Sequence, residues 1–253
     1  MEFGHLTYQE IKEAAQSDWI VLVPTGCTEQ QGPHLPVDFD TWFAEMICNA
    51  ASKRVKDNHD INSLVLPSIP YGPTPEHKGF GAGYIHLPQN LHETVYDAVL
   101  SSLVEQGFRR IIIWTGCGQH QLDSMVHEFQ QKMGNQVNVY IPPKPYQPVL
   151  EQIGNPNIPG GHADTFTTSI ALALRPNEVR KDKISNPEYA IPDWDDPNLD
   201  LSKYTNTGSI GDITQASAEL GMRLWEAVIE RSSQIILDFN QRTIGKGLSN
   251  QAP

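Results

Sequence analysis

Five side chains that can bind a cation or move a proton fall within the sixteen residues Thr25 to Asp40, TGCTEQQGPHLPVDFD. They are Cys27, Glu29, His34, Asp38 and Asp40, with Gly26, Gly32, Pro33 and Pro36 shaping the backbone between them. Glu29 and Asp40 are the strongest pair. Two carboxylates on a turn-rich loop can ligate one divalent ion, and an aspartate can bridge two. The same residues are also compatible with a capping aspartate and a solvated glutamate. Gln31 stands where zinc would prefer an imidazole, so it reads as a hydrogen-bonding group. His34, between Pro33 and Leu35, is a candidate ligand or base, or a satisfied loop histidine.

Three further stretches carry similar chemistry. PTPEHKGF places Glu76 beside His77. In an extended loop such neighbours diverge, one facing a pocket while the other fixes the loop, unless both are simply solvated. TGCGQH holds Cys117 and His120. A thiolate at Cys117 is a soft zinc ligand or a nucleophile, and a buried inert thiol is the alternative. Cys27 has no base near it in sequence and reads as structural. PGGHADTFTTS holds His162 and Asp164. Asp164 or Thr165 suits a helix N-cap. His162, after two glycines, has no obvious structural duty and is a candidate to polarise a carbonyl or shuttle a proton.

Positioning these residues requires a scaffold, and the periodicity supplies one. Helical patterns span 6–16, 40–57, 91–107, 121–134, 164–176 and 212–242, and strand patterns span 18–26, 61–70, 108–116 and 136–142. Asp40 or Thr41 lies near the N-cap of the second helix, and Gly107 suits the end of the third. Alternating β and α with near-continuous apolar strands predicts a parallel sheet covered on both faces. Ligands of such folds bind at the carboxyl ends of the strands. Three strand exits here carry Glu, Asp, His or Cys. The stretch 177–210, rich in Pro, Asp and Asn, is expected to cover part of a pocket or to touch a neighbouring subunit.

The chain has 253 residues, enough for one large α/β domain. No apolar run approaches the ~20 residues of a membrane span, and the N-terminus lacks a signal-peptide layout, so a cytoplasmic protein is expected. The formal charge of -12 argues against nucleic-acid and membrane partners. Three cysteines, Cys27, Cys48 and Cys117, do not make a disulfide framework. Cys48 sits in a helical pattern as a small buried residue.

Together these motifs resemble the creatininase family of metal-dependent amidohydrolases over nearly the whole chain. TGCTEQQGPHLPVDFD is similar to the family's Gly-Ser/Cys-x-Glu-Gln-His-Gly-Pro-His-Leu-Pro motif, and PYGPTPEHKGF to its Pro-Tyr-Gly-x-Ser-x-Glu-His motif. IIIWTGCGQH takes the place of its strand plus Asn-Gly-His-Gly-Gly-Asn. GGHADTFTTS and TGSIGDITQASAELG resemble its fourth and C-terminal motifs.

The resemblance implies a single domain over 1–253, with 245–253 as a flexible tail. It implies a three-layer α/β/α sandwich with a mostly parallel sheet, assembled as a homohexamer. The implied chemistry is hydrolysis of a C–N bond in a small-molecule amide, lactam or formamide, by water held on one or two divalent metals. Glu29 and Asp40 match metal ligands, Asp40 in the bridging place, and His162 matches a histidine near the substrate. Four positions depart from the pattern: Gln31 and Cys117 replace histidine ligands, and Gln119 and Thr167 replace carboxylates. What remains is a site for one zinc or manganese ion rather than two, or for none, on Glu29, Asp40 and Cys117. His34 and His120 are the nearest further candidates. His162, Glu76 and His34 are the candidate catalytic groups. Two alternatives stand beside this: a small-molecule-binding or assembly protein without catalysis, or a Cys117 nucleophile with His120 or His162 as base.

Overall fold

The apolar runs at the centre of the chain form strands buried along their whole length, which explains why their sequences show little polar alternation. In the computed structural model, which describes residues 1–118, 120–144, 148–150, 153 and 161–244, four strands are present. They are Ile20–Thr25 (β1), Ser63–Val65 (β2), Arg110–Thr115 (β3) and Asn138–Tyr140 (β4). Their order is β2-β1-β3-β4, and every pairing is parallel. Gln119 and the 245–253 tail lie outside the described residues.

Successive side chains of a strand point to opposite faces, and the core divides accordingly. Ile20, Leu22, Ile112 and Trp114 enter one apolar cluster, and Val21, Val23, Ile111 and Ile113 enter the other. Tyr8–Gln16 (α1), Gln89–Glu105 (α3) and Asp123–Met133 (α4) cover the second cluster. Phe39–His59 (α2), Thr165–Leu174 (α5) and Ala218–Thr243 (α6) cover the first. The result is the expected α/β/α sandwich with a parallel sheet. Each fully buried Ile, Val or Leu contributes roughly 1.5–3 kcal/mol through area removed from water.

Several boundaries differ from the periodicity, each for a local reason. β2 is three residues long because Pro67 and Pro70 remove ladder donors just beyond it. α6 starts at Ala218, not near 212, because Ser217 caps it by accepting from Leu220 N at 3.1 Å. Upstream, the Asp212 side chain bonds Thr214 N at 2.8 Å and holds a turn that competes with helix. α2 starts at Phe39 with Asp38 in the N-cap position. Asp40 is therefore inside the first turn rather than capping it, and its carboxylate is free to face inward. Asp164 does cap α5, accepting from Thr167 N at 3.1 Å.

Residues 177–210 carry two short 3₁₀ turns and a small apolar cluster of Leu199, Leu201 and Ile210 with Phe80. This segment packs on the Pro75–Phe80 turn: a Cβ at Gly79 would collide with Asp200 and Ser202. No helix among the described residues is long and apolar enough to cross a membrane.

Candidate active site

β1 and β3 lie side by side, so their exits open onto the same point. Gly116 N donates to Thr25 O at 2.8 Å, directly after the paired ends. A Cβ at Gly116 would lie 2.7 Å from Asp40 O and 2.8 Å from Thr25 O, so only glycine allows this approach. That contact brings the β3 exit, with Cys117, against the first turn of α2, with Asp40. Gly116→Ala should therefore cost about 1–3 kcal/mol by overpacking, read as a lower urea midpoint. An unchanged midpoint would contradict the close approach.

Five groups meet at this junction. Gln31 Nε2 donates to Asp40 Oδ2 at 2.8 Å and to Glu29 Oε1 at 3.4 Å. Cys27 Sγ donates to Asp40 Oδ2 at 3.2 Å, and Cys117 Sγ to Glu29 Oε2 at 3.6 Å. Glu29 is 3% exposed. Gln31 Oε1 is buried beside it without a hydrogen-bond partner among the described residues.

Two histidine rings approach Glu29 from the other side, 4.8 Å apart. Gln30 sets the tautomer of both. Its carbonyl lies 2.6 Å from His162 Nε2 and can only accept, so Nε2 carries the proton. Neutral His162 then turns its Nδ1 lone pair toward Glu29 Oε1, 3.6 Å away. The Gln30 amide is itself oriented: Oε1 accepts from Gly32 N at 2.9 Å, and Nε2 donates to Gly208 O at 3.1 Å. The second Nε2 hydrogen faces His77 Nδ1 at 3.1 Å, which accepts it. His77 therefore keeps its proton on Nε2, facing Glu29 Oε2 at 3.4 Å and Glu76 Oε1 at 3.5 Å.

Electrostatics works against that wiring. Burial lowers the His77 pKa, but Glu29 and then Glu76 outweigh it and push it up to about 10. A second proton on Nδ1 would set two donors face to face across the Gln30 contact. Burial raises Glu29, yet His77 and then His162 hold it well below the usual carboxylate range. Asp40 is pushed well above its ordinary value, by burial first and then by the Glu29 charge. Burial, and then the charge on His77, hold His162 down to about 4. A cation beside Glu29 and Asp40 resolves these conflicts together. It neutralises both carboxylates, leaves His77 neutral and accepting from Gln30, and gives Gln31 Oε1 a positive neighbour. The residues present fit a divalent ion.

Without metal, the sign of the His77 contribution is fixed. Its folded pKa, about 10, stands above the ordinary 6.5. It stabilises fully below about pH 6.5, and that stability is lost as pH rises through about 10. Urea denaturation of metal-free protein should show that decline, roughly a few kcal/mol at most, and His77→Gln should lack it. A flat profile in wild type would contradict the ion pair.

A cavity of about 330 Å³ opens on this cluster. Glu29, Asp40, His162 and Lys144 line it, with Phe39, Phe43 and Phe166 as an apolar wall. Lys144 Nζ donates to Cys117 O at 2.7 Å, and burial lowers its pKa. Thr167 also lines the cavity, where the resemblance places an acidic residue. His34, Glu76 and Cys117 are not among the described lining residues. His34 Nε2 is 2.7 Å from Thr168 Oγ1 on α5, and its carbonyl accepts from Arg180 N at 2.9 Å. Glu76 reaches the cluster through His77. The two neighbours do not diverge, because the 3₁₀ turn curls both inward and both are buried. The excursion 177–210 backs that turn and supplies the Gly208 carbonyl rather than walling the cavity.

Sequence reading passed over three participants: Gln30, Cys27 and Lys144. Lys144 had a usable signal, since it follows the fourth strand exit at the ligand-binding end of the sheet.

The sequence model of one family, described as creatinine amidohydrolase, matches residues 4–236. The chain belongs to the creatininase family. The creatinine amidohydrolase of Pseudomonas putida is 25% identical over 249 residues, covering 90% of this chain and 92% of that one. The mycofactocin precursor peptide peptidase of Mycobacterium tuberculosis is 27% identical over 250 residues, covering 90% and 88%. A solved creatininase variant described as Zn-Zn type superposes with a TM-score of 0.80 at 22% identity, covering 94% of this chain and 98% of that one. A solved creatininase described with Mn superposes at 0.80, with 21% identity and the same coverage. This chain carries Glu29 and Asp40 where the resemblance places carboxylate ligands, and Gln31 and Cys117 where it places histidines. Candidate metal-ligating groups persist: Glu29, His77 and His162 form one, and Cys27, Glu29 and Asp40 another.

Proposed function

We propose that this creatininase-family chain is a metal-dependent amidohydrolase that cleaves the C–N bond of a small cyclic amide, lactam or formamide. The observation that carries the reading is the Gln30 wiring. It orients the His77 and His162 rings around a buried carboxylate, an arrangement that a cation beside Glu29 completes. Glu29 and Asp40 hold one zinc or manganese ion, with Cys117 beside them. When bound, a divalent ion supplies Lewis acidity, acidifying water toward a pKa of ~7 and polarising a carbonyl.

The chain's own groups supply the rest. His162 Nδ1, whose ring is fixed through Nε2, accepts a proton and returns it to the leaving nitrogen. Lys144 offers its remaining ammonium hydrogens to a substrate oxygen. Phe39, Phe43 and Phe166 exclude bulk water from one wall, which strengthens every charge interaction inside. Gln31 orients both carboxylates.

A second reading, binding without turnover, is favoured by one feature. The Gln31 amide bridges Glu29 and Asp40 and already satisfies part of their hydrogen-bonding capacity. A panel of lactams, formamides and short peptides, assayed with and without chelator and after zinc or manganese is returned, separates the two. Chelator-sensitive hydrolysis supports the amidohydrolase, and its absence across the metal-loaded panel supports the binding protein. The expected homohexamer is checked by light scattering at micromolar concentration, where a monomeric mass would contradict it.

A further inference from the structure

The chain has three cysteines, and two of them meet at one point from loops ninety residues apart in sequence. Cys48 is an ordinary core residue. Cys27 and Cys117 instead bring their sulfurs together at the carboxylate cluster, each thiol donating to one carboxylate. One ligand atom each from Cys27, Cys117 and His120 lie within 4.8 Å of one another. The three residues are 0%, 4% and 6% exposed. Tetrahedral zinc, with Zn–S near 2.3 Å and Zn–N near 2.0 Å, sets its ligand atoms roughly 3.3–3.8 Å apart. Small side-chain shifts close the present spacing to that range.

His120 adds an independent observation. Its Nδ1 is 3.2 Å from Thr25 Oγ1, while its Nε2 is buried without a hydrogen-bond partner among the described residues. Leaving such a group unsatisfied costs about 1–3 kcal/mol. Room for the ring comes from Gly72, where any Cβ would collide with His120 Nε2. His92 packs against the other side, ring centroids 4.6 Å apart. The trio abuts the carboxylates directly, Cys27 on Asp40 and Cys117 on Glu29.

We infer that Cys27, Cys117 and His120 form a thiolate half to the metal site, and that this half selects zinc. The inference rests on the metal-dependent reading above and deepens it. Two thiolates and an imidazole make a Cys₂His set, which leaves the fourth position open toward Asp40 and Glu29. Both thiols release their protons to solvent on binding, so zinc uptake acidifies weakly buffered solution. Soft sulfur ligands favour zinc over manganese, which prefers oxygen.

Cobalt(II) reports the ligands without any substrate. Titrating metal-free wild-type protein with cobalt should give an intense thiolate-to-cobalt charge-transfer band in the near ultraviolet, discharged by one equivalent of zinc. Cys27→Ser should lose about half of that band, and His120→Gln should weaken zinc by about 100-fold or more, beyond the loss typical of an outer-shell partner. If those variants fail to fold, the wild-type band and the zinc-over-manganese preference decide alone. Cobalt bound without the band, with manganese as tight as zinc, would overturn the thiolate site and leave the carboxylate-held metal standing. No binding of cobalt, zinc or manganese would overturn both.

Discussion

Glu29→Gln should weaken metal binding, abolish turnover and destabilise the metal-free protein, three losses from one isosteric change. Gln31, Cys117, His77 and His162 all address this carboxylate. An amide fills the same space but brings no charge and sets its NH₂ against groups that themselves donate, Gln31, Cys117 and His77. In metal-free protein, His77 would keep only Glu76 at 3.5 Å as an ionic partner. The expected cost is about 3 kcal/mol, at the low end for a broken buried pair because Glu76 remains. Urea denaturation of metal-free protein reads that cost, and elemental analysis reads the metal. A variant with full metal content and unchanged stability would show that Glu29 is neither a ligand nor the partner of His77.

His162→Gln should separate binding from chemistry. The variant is expected to retain its metal and its KM while kcat falls by about 10²–10⁴, the range for a positioned general acid–base. Lone-pair geometry is the reason. Wild-type His162 spends Nε2 on the Gln30 carbonyl and turns Nδ1 toward Glu29 at the edge of the cavity. A glutamine can repeat the first contact but cannot carry a proton back and forth. Burial, the largest influence on the ring, lowers its pKa and leaves it neutral and able to accept across the neutral range. A variant with wild-type kcat would assign the proton transfer elsewhere. Simultaneous loss of metal would make His162 a ligand rather than a shuttle.

Much of the scaffold was legible in the sequence because it rests on local pattern. IVLVPT and RIIIWT read as buried parallel strands and are so. Asp164 reads as a cap and caps. The meeting of Glu29, Asp40 and Cys117 follows from strand exits at one end of a parallel sheet, a consequence of topology. The wiring between these groups was not legible, because it is carried by distant partners. Gln30 acts through Gly208, 178 residues away, and nothing around position 30 announces that contact. Cys27 had no base near it in sequence, yet its sulfur meets Cys117 and Asp40 only after β1 and β3 pair. Glu76 and His77 were read through extended-strand geometry, and the 3₁₀ turn that curls them inward is held by packing from residues 200–202. Asp40 reads as a ligand with a helix cap as the alternative, and the helix that starts at Phe39 removes the alternative by placing it inside the first turn, lining the cavity.

The central claim is that the Glu29–Asp40 cluster carries a divalent cation, and metal content tests it most directly. Protein purified without chelator or added metal should contain about one zinc per chain, as a single site with an open coordination position requires. Dialysis against chelator should remove the ion, and stoichiometric zinc should restore it in wild type but only incompletely in Glu29→Gln. A chain that carries no metal as purified, and takes up neither zinc nor manganese at millimolar concentration, would contradict the account.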